Sequence, residues 1–108
     1  MSYIRVKPII YTFQVSHDVF RGDTVIVEIR TDVEEGSTVR AQLREYIDSE
    51  EFYELDIVEG NVVISSEITK RLVGVYLFDV EVTKNSIVKT IQRDIINFMP
   101  DITRDPTI

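Results

Sequence analysis

The sequence predicts an all-β domain, an antiparallel β-sandwich of about seven strands with one short helical crossing, and three observations predict it. Apolar residues recur with period 2 along most of the chain, and turn residues separate the runs at even spacing. No segment sustains a helical period for any length. The stretch from Leu72 to Phe98 reads as one long β-hairpin. In its first arm Tyr76, Phe78, Val80 and Val82 fall on one face, with Leu77, Asp79 and Glu81 on the other. Lys84-Asn85 supplies the polar turn, and the return arm sets Ile87, Ile91 and Ile95 in alternation with Lys89 and Arg93. A hairpin of this length is not stable alone in water, so the rest of the chain must cover it.

The other strands follow in order. Tyr11, Phe13 and Val15 alternate with Thr12 and Gln14 in the first, and Ser16-His17-Asp18 after it reads as a loop. Arg21-Gly22-Asp23 is a turn that opens the second strand, where Val25, Val27 and Ile29 alternate with Ile26, Glu28 and Arg30. Glu34-Glu35-Gly36-Ser37 turns the chain into a third strand near Thr38 to Glu45, with Val39, Ala41 and Leu43 inward. The fourth sends Tyr53, Leu55 and Ile57 inward, and Glu59-Gly60-Asn61 turns it into a short fifth at Val62 to Ser65. Ser65 or Ser66 is placed to cap a single helical turn, with Ile68 and Leu72, four apart, plugging one end of the core. A helical crossing at this point carries the chain from one sheet to the other, as immunoglobulin-like sandwiches require.

At 108 residues the chain is one domain, divided into an N-terminal arm (1–8) set off by Pro8, the sandwich (9–98) and a proline-bearing C-terminal tail (99–108). Tyr3, Ile4, Val6, Met99, Ile102 and Ile108 supply the apolar groups by which the two ends would dock on a partner. No apolar run approaches the roughly 20 residues that span a bilayer, and the N-terminus lacks the apolar core of a signal peptide. The chain is therefore expected to remain in the cytoplasm where it is made, with no membrane contact. With no cysteine, it has neither disulfides nor thiolate metal sites.

The net charge is −7, from 12 basic and 19 acidic residues, and it is concentrated. Glu45, Asp48, Glu50, Glu51, Glu54, Asp56 and Glu59 follow one another with no Lys or Arg among them, so this one acidic patch carries −7 and the remainder is neutral. Direct nucleic-acid binding is not expected, because phosphate affinity depends on clustered cations. The patch suits a solvated strand edge that resists edge-to-edge association, or a surface that meets a basic partner.

No catalytic constellation is visible. Ser16-His17-Asp18 has the residue types of a nucleophilic triad, but adjacent residues diverge where a triad converges from separate elements. His17 is the only histidine and reads as a solvated surface group. Asp48 to Glu54 has the carboxylate density of a hard-cation site but not the EF-hand spacing, and no metal or cofactor is expected. Arg21-Gly22-Asp23 is the tripeptide that integrin ligands display, although the needs of a turn explain it fully.

One resemblance spans roughly residues 10 to 104. Arg21-Gly22-Asp23-Thr24 opening an alternating strand is followed by Val39-Arg40-Ala41-Gln42-Leu43-Arg44, Gly60-Asn61-Val62-Val63 and a short Ser/Thr-Glu crossing. Gly74-Val75-Tyr76-Leu77-Phe78-Asp79-Val80-Glu81-Val82, Val88-Lys89-Thr90-Ile91 and a tail from Met99 to Arg104 complete the pattern. This order resembles the small immunoglobulin-like structural modules of tailed bacteriophages, found in tails, baseplates, fibres and the capsid exterior. The loop Thr31 to Ser37 departs from the pattern, since such modules often carry a longer insert with a Leu-Thr-Gly turn there. The resemblance implies a non-enzymatic virion structural protein, an accessory (decoration) capsid or tail/fibre-attachment protein without cofactors. Such a protein is made in the host cytoplasm, resides in the virion, and docks in many symmetric copies on capsid or tail subunits through its termini. The alternative is a stand-alone β-sandwich binding module that recognises a peptide or glycan with its loops or an open sheet edge.

Overall fold

The computed structural model describes residues 14–46 and 48–100. Its strands are β1 (Ser16–Phe20), β2 (Val25–Glu28), β3 (Thr38–Arg44), β4 (Tyr53–Val58), β5 (Asn61–Ile64), β6 (Gly74–Lys84) and β7 (Ile87–Met99), with one helical turn, α1 (Ser66–Thr69), between β5 and β6. The fold is all-β, as the alternation predicts. The strands hydrogen-bond in the order β1-β7-β6-β3-β4-β5-β2. Placing β2 beside β5, and β3, β6 and β7 side by side, gives the adjacency of an immunoglobulin-like sandwich. The two layers are joined, because β4 pairs with β3 over Tyr53 to Leu55 and then with β5 over Asp56 to Val58. The result is one continuous, nearly barrel-shaped sheet.

Inward residues come from the expected alternation. Val25, Val27, Ala41, Leu43, Leu55, Val62, Ile64, Phe78, Val80, Ile96 and Phe98 form the buried core, and Leu72 closes one end. Tyr76 meets Phe98 edge-to-face at 5.7 Å, the arrangement that sets the positive rim of one ring against the negative face of the other. Ile68 packs against the same core from α1. Ser65 occupies the N-cap of that turn, but its carbonyl, accepting from the Ile68 and Thr69 N–H groups, does the capping; its hydroxyl makes no cap bond.

The β6–β7 hairpin corrects the sequence reading in two places. Its turn residues are Asn85 and Ser86, both at positive φ (53° and 67°), between the paired Lys84 and Ile87. This is the left-handed geometry that matches the twist of two antiparallel strands. Second, Val80 pairs with Gln92 but Glu81 pairs with Thr90, so Ile91 is an extra residue on β7. Ile87, Lys89, Ile91, Arg93 and Ile95 do not alternate with one another, since all are odd-numbered, and the bulge moves the inward set to Gln92, Asp94, Ile96 and Phe98.

β1 is the other correction. Ser16-His17-Asp18 is strand rather than loop, pairing with β7 from Ser16 opposite Ile95 to Phe20 opposite Met99. The pairing is parallel, the one exception to an otherwise antiparallel set among the described residues. Polar, turn-forming residues are held extended here because β7 offers a full row of backbone partners and because His17 finds a buried acceptor, so tertiary context overrides local preference. Gln14 and Val15 lead into this strand, and Tyr11, Thr12 and Phe13 of the expected first strand lie outside the described residues. No helix among the described residues is long and apolar enough to cross a membrane.

Candidate functional site

Asp94 points into the protein from the middle of β7 with no side-chain exposure. Four donor groups surround it. Arg30, just past β2, donates from both terminal nitrogens, at 2.7 Å to Oδ1 and 3.1 Å to Oδ2. The Nε2 of His17, on β1, lies 2.9 Å from Oδ2, and the Gln92 amide donates to the same oxygen at 3.3 Å. Burial alone pushes the Asp94 carboxyl up, but the Arg30 bonds, then those of His17 and Gln92, outweigh it and hold the group below the usual carboxylate range. Asp94 in turn raises the Arg30 guanidinium above its ordinary value.

Gln92 extends the cluster across a seam. β2 and β7 are not hydrogen-bonded strand neighbours, yet the Gln92 side chain accepts from the Arg30 backbone N–H at 2.9 Å and donates to the Glu28 carbonyl at 3.0 Å. Its carboxamide thus does for β2 what the backbone of an adjacent strand would do. With Asp94 as its second acceptor, this fully buried amide uses both its oxygen and its nitrogen. The cluster ties β1, β2 and β7 at one point, and sequence reading missed it because polar residues at inward positions look like an outward face. The parity of Ile96 and Phe98, opposite to that of Ile87 and Ile91, is the signal that could have revealed the bulge and hence the inward Asp94.

His17 is accordingly not a solvated surface group. Its side chain is 26% exposed and bonded to a buried carboxylate. Ser16 and Asp18 flank it on β1 and are exposed on the opposite face, so the three residue types do not converge on one another. No serine, threonine or cysteine side chain bonds to His17 among the described residues, and the His17–Asp94 pair acts as a tie between strands.

The acidic run is exposed throughout, and within it only Glu54 pairs with a basic side chain among the described residues. Glu54, on the outer face of β4, takes two bonds from Arg40 (3.0 and 3.1 Å) and one from Gln42, and the Arg40 bonds lower its pKa. Asp56 lies further along β4, and Glu59, at φ 51°, forms with Gly60 the tight turn into β5. Glu45, Asp48, Glu50 and Glu51 lie in the β3–β4 loop. The register sets Glu54 opposite Gln42 on β3, within reach of Arg40. Arg44, the basic residue at the loop, instead stacks on Phe52 and donates to Ser49 and Gln42 rather than pairing with a loop carboxylate.

That loop borders an open cleft of about 790 Å³ between the end of β3 and the start of β4, lined in part by Glu45, Glu50 and Glu51. Its apolar surface is aromatic: Phe52 and Tyr53 enter β4, Tyr76 comes from β6, and Tyr46 stands at the mouth, 63% exposed. Burial raises the Tyr76 hydroxyl pKa, and the Glu45 charge raises it further. Arg44 holds the loop, donating to the Ser49 carbonyl at 3.2 Å and to Gln42 Oε1 while its guanidinium stacks 5.0 Å from the centre of the Phe52 ring. The Tyr46 N–H bonds to Ser49 Oγ and the Ser49 N–H to the Tyr46 carbonyl, which completes a small turn.

Arg21-Gly22-Asp23 is a turn tied to α1 through its backbone, with Gly22 and Asp23 exposed. Thr69 of α1 accepts from the Gly22 N–H at 3.0 Å and donates to the Asp23 carbonyl at 2.7 Å, while Arg21 reaches the Lys70 carbonyl. Of the apolar residues assigned to docking, Met99 is half-buried at the end of β7 opposite Phe20. Tyr3, Ile4, Val6, Ile102 and Ile108 lie outside the described residues. No protein-family model matches the chain, and no curated protein matches it.

Proposed function

We propose that the chain is a non-enzymatic interaction module, a virion structural protein of the accessory capsid or tail-attachment kind, that docks on other virion subunits through its two ends. One observation carries the reading: the strands nearest the two ends are neighbours. β1 and β7 run parallel from Ser16 opposite Ile95 to Phe20 opposite Met99, the Arg21 N–H extends the ladder to the Met99 carbonyl at 3.0 Å, and His17–Asp94 ties the pair internally. Because the pairing is parallel, residues before Ser16 leave at the Ser16–Ile95 end and residues after Met99 at the Phe20–Met99 end. One rigid, cross-tied pair thus offers a base for docking at each of its two ends, and a preorganised base limits the entropy lost on docking. Repetition around a symmetric particle multiplies a modest contact into firm attachment.

The test is to remove residues 1–13 or 100–108 and follow both folding and incorporation into particles. The reading expects a cooperatively folded sandwich that no longer sediments with particles, and normal incorporation of both truncated forms would overturn it. A stand-alone peptide-binding module is the second reading, and the aromatic, acidic cleft beside the β3–β4 loop favours it. It expects saturable binding by the monomer with both ends removed.

A further inference from the structure

We infer that the cleft between the β3–β4 loop and the start of β4 is a recognition site for a basic peptide segment, with one Lys or Arg side chain of the partner lying against Tyr46 and Tyr53 under the carboxylates of Glu45, Glu50 and Glu51. The inference deepens the reading of the chain as an interaction module and rests on it. The cleft, about 790 Å³, falls within the range that holds a few amino-acid side chains.

The chemistry of the lining selects the occupant. Exposed aromatic faces attract cations through the ring quadrupole, and a carboxylate rim steers and orients them. This corner of the fold already makes the aromatic half of that contact internally, where the Arg44 guanidinium stacks on Phe52 while donating to the neutral Ser49 carbonyl and Gln42 amide oxygens. The partner residue would repeat the arrangement on the rings that Arg44 does not cover.

Two observations separate this site from diffuse acidity. Glu54, nearby on the outer face of β4, is already engaged by Arg40, whereas no lysine or arginine pairs with Glu45, Glu50 or Glu51 among the described residues. No three carboxylate or imidazole groups gather as closely as a metal ion requires among the described residues, so the cluster is not built as a cation site. The pull of Glu45 on Tyr76 shows that the negative field reaches the aromatic wall.

The experiment titrates the full chain with an end-blocked peptide containing two arginines and two lysines, and separately with its citrulline and norleucine counterpart, following backbone amide shifts by NMR. The expected result is saturable binding of the basic peptide with shifts confined to residues 44–53 and 76, and none with the neutral peptide. Glu50→Lys/Glu51→Lys should weaken binding at least about fivefold, whereas Asp56→Lys/Glu59→Lys, an equal change of charge outside the cleft, should leave it within about twofold. Tyr46→Ala should also weaken binding, which simple charge attraction does not require. Equal losses from the two lysine pairs, no effect of Tyr46→Ala, or no saturation at millimolar peptide would each overturn the inference. Circular dichroism of each variant checks that the fold is intact. Failure here would leave docking through the chain ends untouched, because the terminal deletions do not alter the cleft.

Discussion

Arg30 grips Asp94 with both terminal guanidinium nitrogens, at 2.7 and 3.1 Å, across a seam of the sheet that no backbone ladder closes. The two residues are 64 apart in sequence, so their pairing forms only when β2 and β7 are both in place. Removing one partner of a buried pair strands the other charge, which typically costs about 3–5 kcal/mol. Arg30→Met leaves the fully buried Asp94 charge with only His17 and Gln92, so it should cost up to that figure in urea unfolding. Asp94→Ala strands an arginine that is one-third exposed and open to water, so its cost should come mainly from the lost bonds of Arg30, His17 and Gln92 and the space left behind. A double-mutant cycle should show coupling above about 1 kcal/mol, and strict additivity of the two substitutions would refute the latch.

Gln92→Leu separates volume from hydrogen bonding at the same seam. Leucine fills a similar space but leaves the Arg30 N–H and the Glu28 carbonyl without the amide that joins them. An unsatisfied group costs about 1–3 kcal/mol when fully buried. These two bonds are part-buried, so the substitution should cost less than that per group and still more than a surface change of the same size. Hydrogen exchange checks the location: protection should fall first at Arg30 and its β2 neighbours, while β3 and β6 keep theirs.

The depressed Asp94 pKa fixes the sign of the acid response. A carboxyl whose folded pKa lies below its unfolded value of about 3.9 contributes stability above that pH, and the contribution is lost as pH falls through the folded value. Stability from this group should therefore be flat between pH 5 and 7 and decline below about pH 4. Asp94→Asn should be less stable than wild type at pH 6, and the gap should narrow toward pH 2. A gap that widens on acidification would contradict the assignment.

The hairpin and the cluster differ in how openly the sequence declares them, and the reason is physical. Phe78, Val80, Val27 and Leu43 are placed inward by simple alternation because hydrophobic burial rewards it residue by residue. Asp94 and Gln92 are also inward, but their burial is compensated by partners 62 to 77 residues away, which no local pattern encodes. The bulge at Ile91 compounds this by changing parity in mid-strand. β1 was misplaced for the same cause, since Ser16-His17-Asp18 is extended only because β7 and Asp94 receive it. The aromatic cleft was half legible: the run of carboxylates is plain in sequence, but its separation into a paired Glu54 and a loop group without basic partners depends on the β3–β4 register.

The Asn85-Ser86 turn offers a stabilising change. Both residues sit at positive φ, where a side chain costs energy that glycine avoids, and Asn-Gly is the preferred pair for this turn. Ser86→Gly should stabilise by about 0.5 kcal/mol once the extra unfolded-state freedom of glycine is subtracted. The gain should appear as a higher urea midpoint with an unchanged slope.

Tyr76 reports on the cleft from within. Its hydroxyl is raised by burial first and by the Glu45 charge second, so it should ionise above the ordinary tyrosine range. Glu45→Gln removes the second cause and leaves the first, so the late-titrating tyrosine should shift partway down without reaching the ordinary value. High salt should produce part of the same shift in wild type, because the contribution of an exposed carboxylate is screened while burial is not. An absorbance titration near the tyrosinate band, repeated on Tyr76→Phe to assign the late step, makes the measurement. If Glu45→Gln and salt both leave that step in place, the loop carboxylates do not polarise the aromatic wall, and the electrostatic part of the cleft assignment fails.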